Sequence, residues 1–143
     1  MGSEVYYFTF TGNSKMIAEK IASRFSLKIS QIKAPKLPYL AWLILSFTPF
    51  EVKSSFKEVE EEDLILCFPK WTFNCPPVTY FLKRLKARKL AMVISYGGFD
   101  EVRYAEFYRS LAMKRVEACS YFLMKRGKFD ERVFDWLKDF LHI

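Results

Sequence analysis

Cysteine and histidine are scarce in this chain, which excludes the classes of metal site that are built from them. Its 143 residues include three cysteines and one histidine. Cys67, Cys75 and Cys119 form no Cys-x-x-Cys pair, whereas zinc sites are built from closely spaced cysteine and histidine ligands. We therefore expect no metal site. Because an odd set of cysteines offers no disulfide framework, we expect a reduced, cytoplasmic protein.

Long apolar runs and glycine are also in short supply. No apolar run reaches the roughly 18 residues that a membrane span needs, and the N-terminus lacks a basic segment followed by an apolar one, so we expect neither a transmembrane segment nor a signal peptide. The chain has five glycines, and no loop contains the three that a dinucleotide fingerprint requires. A Walker phosphate loop is excluded as well, because no second glycine precedes Lys-Ser or Lys-Thr.

Apolar and aromatic residues, in contrast, are abundant. The chain is 51% hydrophobic and 18% aromatic, which excludes disorder and predicts one domain over residues 1–143. Its net charge of +7 favours nucleic acid as a partner only if the basic residues cluster on one face. They do not, because one basic group surrounds residues 83–89 and 114–115 and another surrounds residues 103 and 125–128. We expect no nucleic-acid partner.

Apolar strand-like runs alternate with amphipathic stretches along the chain. We predict strands at residues 5–8, 27–30, 64–68, 90–96 and 116–124, and helices at residues 14–25, after 76, at 101–111 and after 130. This alternation predicts an α/β protein with a parallel sheet covered on both faces. Residues 34–50 are rich in proline and then strongly apolar. They are predicted to form either a helix over one face of the sheet or a flap that docks on a partner or a membrane surface.

A polar, uncharged segment joins the first strand to the first helix. It consists of Thr9, Phe10, Thr11, Gly12, Asn13 and Ser14. The first N–H groups of a helix lack partners and carry partial positive charge, so they attract anions such as phosphate. Hydroxyl groups here add donors, and the glycine allows a close approach. The segment therefore favours a phosphate site, although a simple cap by Asn13 or Ser14 would explain the same residues.

Two further loops of unusual composition follow the third and fourth strands. The second loop contains Pro69, Lys70, Trp71, Thr72, Phe73 and Asn74, and the third contains Ser95, Tyr96, Gly97, Gly98 and Phe99. In such sheets, ligands bind beyond the carboxyl ends of the strands. The three loops thus combine a phosphate site with aromatic rings that suit a flat heterocycle.

Taken together, the three loops resemble the flavodoxin family. That family has Ser/Thr-x-Thr-Gly-Asn-Thr/Ser in its phosphate loop, which residues 9–14 match, followed here by Ile17 and Ala18. It has Pro-x-aromatic and then Pro-Pro around the second loop, matched by residues 69–71 and 76–77, and Thr/Ser-Tyr-Gly-Gly in the third, matched by residues 95–98. The resemblance covers nearly the whole chain.

The resemblance implies a three-layer sandwich with strand order 2-1-3-4-5 and FMN as the cofactor. It implies that Thr9, Thr11, Asn13 and Ser14 bind the phosphate. Trp71 would enclose the flavin ring together with Tyr96 or Phe99, and the backbone of residues 70–74 and 95–98 would meet its polar edge.

Two positions depart from the family pattern. Many members have glycine where this chain has Phe73, and a peptide flip at that glycine stabilises the one-electron-reduced flavin. Phenylalanine does not easily adopt a positive φ, so we expect this stabilisation to be lost. The family's carriers tend to be acidic around the flavin, whereas Lys70 lies in a flavin loop here. Positive charge should favour the anionic reduced flavin and raise its reduction potential.

On this basis we favour an FMN-binding carrier that moves electrons between a reductase and an acceptor. Arg103, Lys125, Arg126 and Lys128 near the flavin edge would suit an acidic acceptor such as a ferredoxin. One alternative is an NAD(P)H-dependent FMN reductase of quinones or similar acceptors, with residues 34–50 shaping the acceptor site. A third, less favoured alternative is a non-redox binding module that kept the fold, lost the cofactor and uses its basic face on nucleic acid. The sequence contains no evident catalytic acid, base or nucleophile.

Overall fold

The chain alternates strands and helices in a computed structural model that describes residues 2–71, 73–98 and 101–143. The strands are β1 (Ser3–Tyr7), β2 (Lys28–Gln31), β3 (Asp63–Pro69), β4 (Lys89–Tyr96) and β5 (Ala118–Lys125). The helices are α1 (Asn13–Phe25), α2 (Tyr39–Leu45), α3 (Pro76–Leu82), α4 (Glu101–Ala112) and α5 (Arg132–Leu141). All strand pairs are parallel, in the order β2-β1-β3-β4-β5, which confirms the predicted fold class.

The three central strands are buried on both faces. β3 is buried along its whole length, as its uniformly apolar sequence predicts for a parallel strand covered by helices. Successive side chains point to opposite faces, so Leu66 packs in one core layer with Phe81, while Ile65 packs in the other with Ile17. The two core layers show that helices cover both faces of the sheet.

The helices contact the sheet through apolar stripes. On α1 the inner stripe includes Ile17, Ala18, Ile21 and Ala22, at the spacing of one helical face. α1 ends at Ser26, whose φ of 55° is left-handed, and this turns the chain into β2. No helix among the described residues is both long and apolar enough to cross a membrane.

Residues 34–54 form a flap between β2 and β3. Its base is closed by two backbone hydrogen bonds between Lys33 and Ser55, of 2.7 and 2.8 Å. The predicted helix exists as α2, and of the two alternatives predicted for this segment its contacts agree better with a flap than with a helix over a face of the sheet. Trp42 is the buried residue of α2, and it belongs to neither core layer. Instead it packs on Trp71, beyond the carboxyl end of β3.

Candidate functional site at the carboxyl edge of the sheet

The first loop opens α1 with free backbone donors. Gly12 adopts a left-handed conformation with a φ of 98°, and no side chain caps the helix at this residue. The Gly12 N–H donates to Thr9 Oγ1 at 2.8 Å, and Met16 N–H makes the first helical bond, to Gly12 O at 3.1 Å. The N–H groups before Met16 therefore lack helical partners. The Ser14 hydroxyl lies against Ser95, so it does not serve this helix start as a cap, and the phosphate site stays a prediction.

Ser14 connects the first loop to the third. Its side chain is buried, and its Oγ lies 3.4 Å from Oγ of Ser95, which is also buried. The exposed members of the first loop are Phe10, Thr11 and Gly12. A ligand that reaches the start of α1 from solvent thus meets Thr11 and the backbone first, while Ser14 fixes the position of the loop over β4.

The second loop is held by the flap. The N–H groups of Phe73 and Asn74 both donate to Ser46 O, at 3.0 and 3.1 Å. The side-chain amide of Asn74 donates to Phe50 O at 2.7 Å. These donors, which belong to the loop predicted to meet the flavin edge, are therefore engaged within the protein. The flap and the second loop form one hydrogen-bonded unit.

A buried polar network lies beneath this loop, and the sequence reasoning did not find it. The Tyr108 hydroxyl donates to Asn74 Oδ1 at 3.0 Å and accepts from Cys75 N–H at 2.6 Å. Thr79 Oγ1 also donates to Asn74 Oδ1. Burial raises the pKa of Tyr108 and of Cys75 well above their usual range, so both stay protonated near neutral pH. The network therefore positions the loop and offers no acid, base or nucleophile.

Trp71 lies at the centre of an aromatic cluster. Its ring centroid is 5.6 Å from Phe8, 5.7 Å from Phe10 and 5.6 Å from Trp42, each in an edge-on arrangement. The partners come from the end of β1, the first loop and the flap. Edge-to-face contacts of this kind add specific packing energy, so the orientation of Trp71 is fixed from three sides.

The second and third loops line a shallow, open cleft of about 380 Å³. It is lined by Lys70, Trp71, Gly97, Gly98 and Arg126, and its size lies within the usual range for small-molecule sites. A Cβ added at Gly97 would lie 3.6 Å from Arg126 Cδ, so a larger side chain there would extend into the cleft. The predicted residues Trp71, Gly97 and Gly98 are thus brought together.

Arg126 is a lining residue that the sequence reasoning assigned only to partner contacts. Its N–H donates to Tyr96 O at 2.8 Å, and Lys70 N–H donates to Ser95 O at 2.7 Å. These bonds join the ends of β3, β4 and β5 and bring two cationic side chains to one cleft. Neither Lys70 nor Arg126 forms an ion pair within the described part of the chain.

Tyr96 lines a neighbouring cavity of about 640 Å³, whose lining includes basic residues (Lys125, Lys128 and Arg132), acidic residues (Asp130 and Glu131) and Phe129. Two residues predicted to contact the cofactor, Thr72 and Phe99, lie outside the described residues. An uncapped helix start, a flat cleft beside an indole and unpaired cations fit a phosphorylated planar heterocycle.

Comparison with known proteins agrees with this architecture. An uncharacterized protein from Archaeoglobus fulgidus is 50% identical over 145 residues, spanning 97% of this chain and 98% of that protein. No family model matches the chain. A crystal structure of a proposed flavoprotein from Bacteroides eggerthii has a TM-score of 0.72 at 16% identity, covering 99% of this chain and 98% of its own. A flavodoxin from Streptococcus pneumoniae has a TM-score of 0.57 at 14% identity, covering 98% of this chain and 94% of its own.

The chain belongs to the family of the archaeal protein and has the flavodoxin-like fold. The predicted resemblance is therefore confirmed at the level of fold. In this flavodoxin-like protein the first loop, the cleft and the flap all lie at the carboxyl edge of the sheet, where ligands of such sheets bind.

Proposed function

We propose that this protein binds FMN and carries electrons between a reductase and an acceptor. One observation carries the proposal. The uncapped start of α1 and the cleft beside Trp71 meet at one edge of the sheet. FMN has a phosphate and a planar ring at its two ends, which suit these two features.

The residues of the first loop would hold the phosphate. Thr9, Thr11 and the N–H groups of Asn13 and Ser14 would donate to its oxygens, with the partial positive charge of the helix start behind them. Thr9 already orders the loop through its bond to Gly12. Ser14 fixes the loop against Ser95. The phosphate site thus needs no lysine.

The cleft would hold the ring and tune its charge. Bound FMN supplies the electron-transfer chemistry, and the protein supplies binding, orientation and electrostatics. Trp71 presents an aromatic surface that three neighbouring rings keep in place. Lys70 and Arg126 bring positive charge to the same cleft, which favours an anionic reduced ring over a neutral oxidised one.

The surroundings of the site favour a carrier over an enzyme. Arg103, Lys125, Arg126 and Lys128 would attract an acidic protein acceptor such as a ferredoxin. Such a partner would reach the flavin at the exposed Gly97 and Gly98.

One observation supports an NAD(P)H-dependent reductase of quinones as the second candidate. The cavity of about 640 Å³ beyond Tyr96 is lined by Lys125 and Lys128, and also by Asp130, Glu131 and Arg132. Asp130 and Arg132 pair with each other at 2.6 Å, which leaves the two lysines for a ligand. Cations beside an aromatic ring suit the phosphate and base of a nucleotide donor. The exposed apolar flap on the other side of Trp71 would suit a hydrophobic acceptor.

Purification followed by identification of the released chromophore tests the proposal. We expect a yellow protein that releases FMN, and an apoprotein that takes up FMN at micromolar concentration. Anaerobic addition of NAD(P)H separates the two candidates, because bleaching without a separate reductase indicates the enzyme. A folded, colourless protein that refuses FMN would contradict both and leave a cofactor-free binding module.

A further inference from the structure

The exposed side of the flap is apolar. Leu40, Ile44 and Phe50 are 64%, 58% and 63% exposed. The helical spacing of Leu40, Leu43 and Ile44 places these three residues on one stripe of α2. Phe47 lies in the turn that follows, where its N–H donates to Ile44 O at 3.1 Å. We call this stripe, with Tyr39, Phe47 and Phe50, the apolar flap surface. It reverses the usual pattern of a surface helix, whose apolar stripe faces the core.

The apolar flap surface continues into the cofactor site. Tyr39 contacts Phe10 of the first loop, with ring centroids 6.4 Å apart, and Phe47 contacts Phe73 of the second loop at 5.6 Å. Both loop residues are at least half exposed. Contiguous exposed apolar areas of this kind mark interaction sites, so whatever covers the flap lies beside the cleft.

Hydrogen bonds hold the flap in this exposed position. Ser46 O accepts from the N–H groups of Phe73 and Asn74, and Asn74 also donates to Phe50 O. The bridge at its base adds two more backbone bonds. The surface is therefore fixed by the same loop that forms the cleft, and its exposure is a property of the fold.

The charges around the flap all have one sign after local pairing. Between residues 33 and 57 the only acidic residue is Glu51, and it pairs with Arg84 at 2.8 Å. The exposed lysines in the flap or at its base are Lys33, Lys36 and Lys53. None of them forms an ion pair within the described ranges. An apolar surface bordered by unpaired lysines is complementary to an apolar layer with anionic groups at its edge.

The composition of the stripe favours lipid over protein as the partner. Residues 37–45 contain no charged and no amide side chain. Protein interfaces carry about one hydrogen bond per 100–200 Å² to fix their register, whereas acyl chains need none. Amphipathic surface anchors combine such a face with flanking lysines and aromatic residues. We propose that the apolar flap surface docks on an anionic bilayer surface and places the cleft beside it.

Co-sedimentation of the purified protein with lipid vesicles tests this proposal. We expect binding to vesicles of phosphatidylcholine mixed with phosphatidylglycerol, weaker binding to phosphatidylcholine alone, and loss of the difference at high salt. Ile44→Glu should lower the partition coefficient by about tenfold or more. Lys36→Gln and Lys53→Gln should each lower it about fivefold on the anionic vesicles.

Met113→Glu is the matched control, because Met113 is also an exposed apolar residue but lies at the far end of α4. It should bind vesicles as the wild type does. Circular dichroism and FMN uptake on the same samples show that each variant folds.

A folded wild type that does not bind anionic vesicles would overturn the proposal. So would self-association that Ile44→Glu abolishes without lipid binding, since a second copy would then cover the surface. FMN uptake without vesicle binding refutes this inference alone.

Discussion

Charged groups are paired within the protein at the amino edge of the sheet, whereas charged and polar groups at the carboxyl edge are left without such partners among the described residues. At the amino edge, Asp63 is buried and pairs with Arg88 at 3.0 Å. There Glu4 accepts the N–H groups of Glu60 and Glu61, at 2.8 and 2.7 Å. At the carboxyl edge, the helix start is uncapped, two cations share a cleft, and apolar side chains lie in solvent.

The comparison separates residues that stabilise the fold from residues kept available for a ligand. A charge with a local partner contributes to the free energy of unfolding. A hydrogen-bond donor or a cation that has no partner in the protein is hydrated until a ligand displaces the water. We therefore expect substitutions at the amino edge to change stability alone, and those at the carboxyl edge to change FMN binding or potential alone.

Thr11→Asp should have the largest effect. It places a negative charge beside the phosphate at the start of α1, and two like charges about 5 Å apart near a protein surface repel by roughly 3 kcal/mol. We expect FMN affinity to fall about 100-fold in a fluorescence titration. Ser23→Asp adds the same charge at the exposed far end of α1 and is the control. Equal FMN affinities of the two variants would show that the first loop does not bind the phosphate.

Asp63→Asn should lower the free energy of unfolding by about 1–3 kcal/mol, because the Arg88 side chain loses its buried charged partner. Urea denaturation measures the change. Glu62→Gln is the control, since Glu62 is exposed and lies 3.8 Å from Arg88, and its effect should be close to zero. FMN affinity should stay unchanged in both variants. A loss of FMN affinity in Asp63→Asn would contradict the claim that residues at the amino edge affect stability alone.

Arg126→Gln should make the flavin harder to reduce. Removing a positive charge from the cleft destabilises the anionic reduced ring, by roughly 1 kcal/mol or some 20 mV for a two-electron couple. Anaerobic titration against a reference dye should therefore give a more negative midpoint potential. Lys114→Gln removes a positive charge at the opposite edge and should leave the potential unchanged. An unchanged potential in Arg126→Gln would place the flavin ring outside this cleft.

Tyr6→Phe should have the smallest effect on FMN binding. It removes the hydrogen bond of 2.6 Å from the Tyr6 hydroxyl to Lys57 O, which should lower the free energy of unfolding by about 1 kcal/mol at neutral pH, and it should also change the pH dependence of stability in alkali. Burial, and then the charge of Glu4, raise the pKa of Tyr6 from 10.0 to about 12. The folded state therefore prefers the neutral phenol, and stability present below pH 10.0 should be lost as the pH rises towards 12. Urea denaturation across this window should show a shallower loss in the variant. If the free energy of unfolding fell equally steeply with pH in the wild type and the variant, Tyr6 would not be the group responsible for the loss.

The fold could be predicted from the sequence because each strand and helix carries its own pattern of apolar residues. Uniformly apolar runs such as β3 and the stripe of α1 predict their own burial. Their alternation then limits the connections to a parallel sheet. The three loops follow, since the carboxyl ends of parallel strands meet at one edge.

The parts that were missed depend on contacts between distant residues. Asn74 bonds to Tyr108, 34 positions away, and nothing in either segment indicates that partner. Residues 34–50 look like core because they are apolar, yet the bonds between Ser46 and the second loop hold them outward. Arg126 lies at the cleft because its N–H bonds to Tyr96 O, 30 positions away, and its own segment does not indicate that partner.

The most direct test compares the binding of FMN and riboflavin to the apoprotein, because the two ligands differ only by the phosphate. If the start of α1 grips that phosphate, calorimetric titration should show FMN bound at least about 100-fold more tightly than riboflavin. Equal affinities, or no binding of either ligand by the folded protein, would contradict the account.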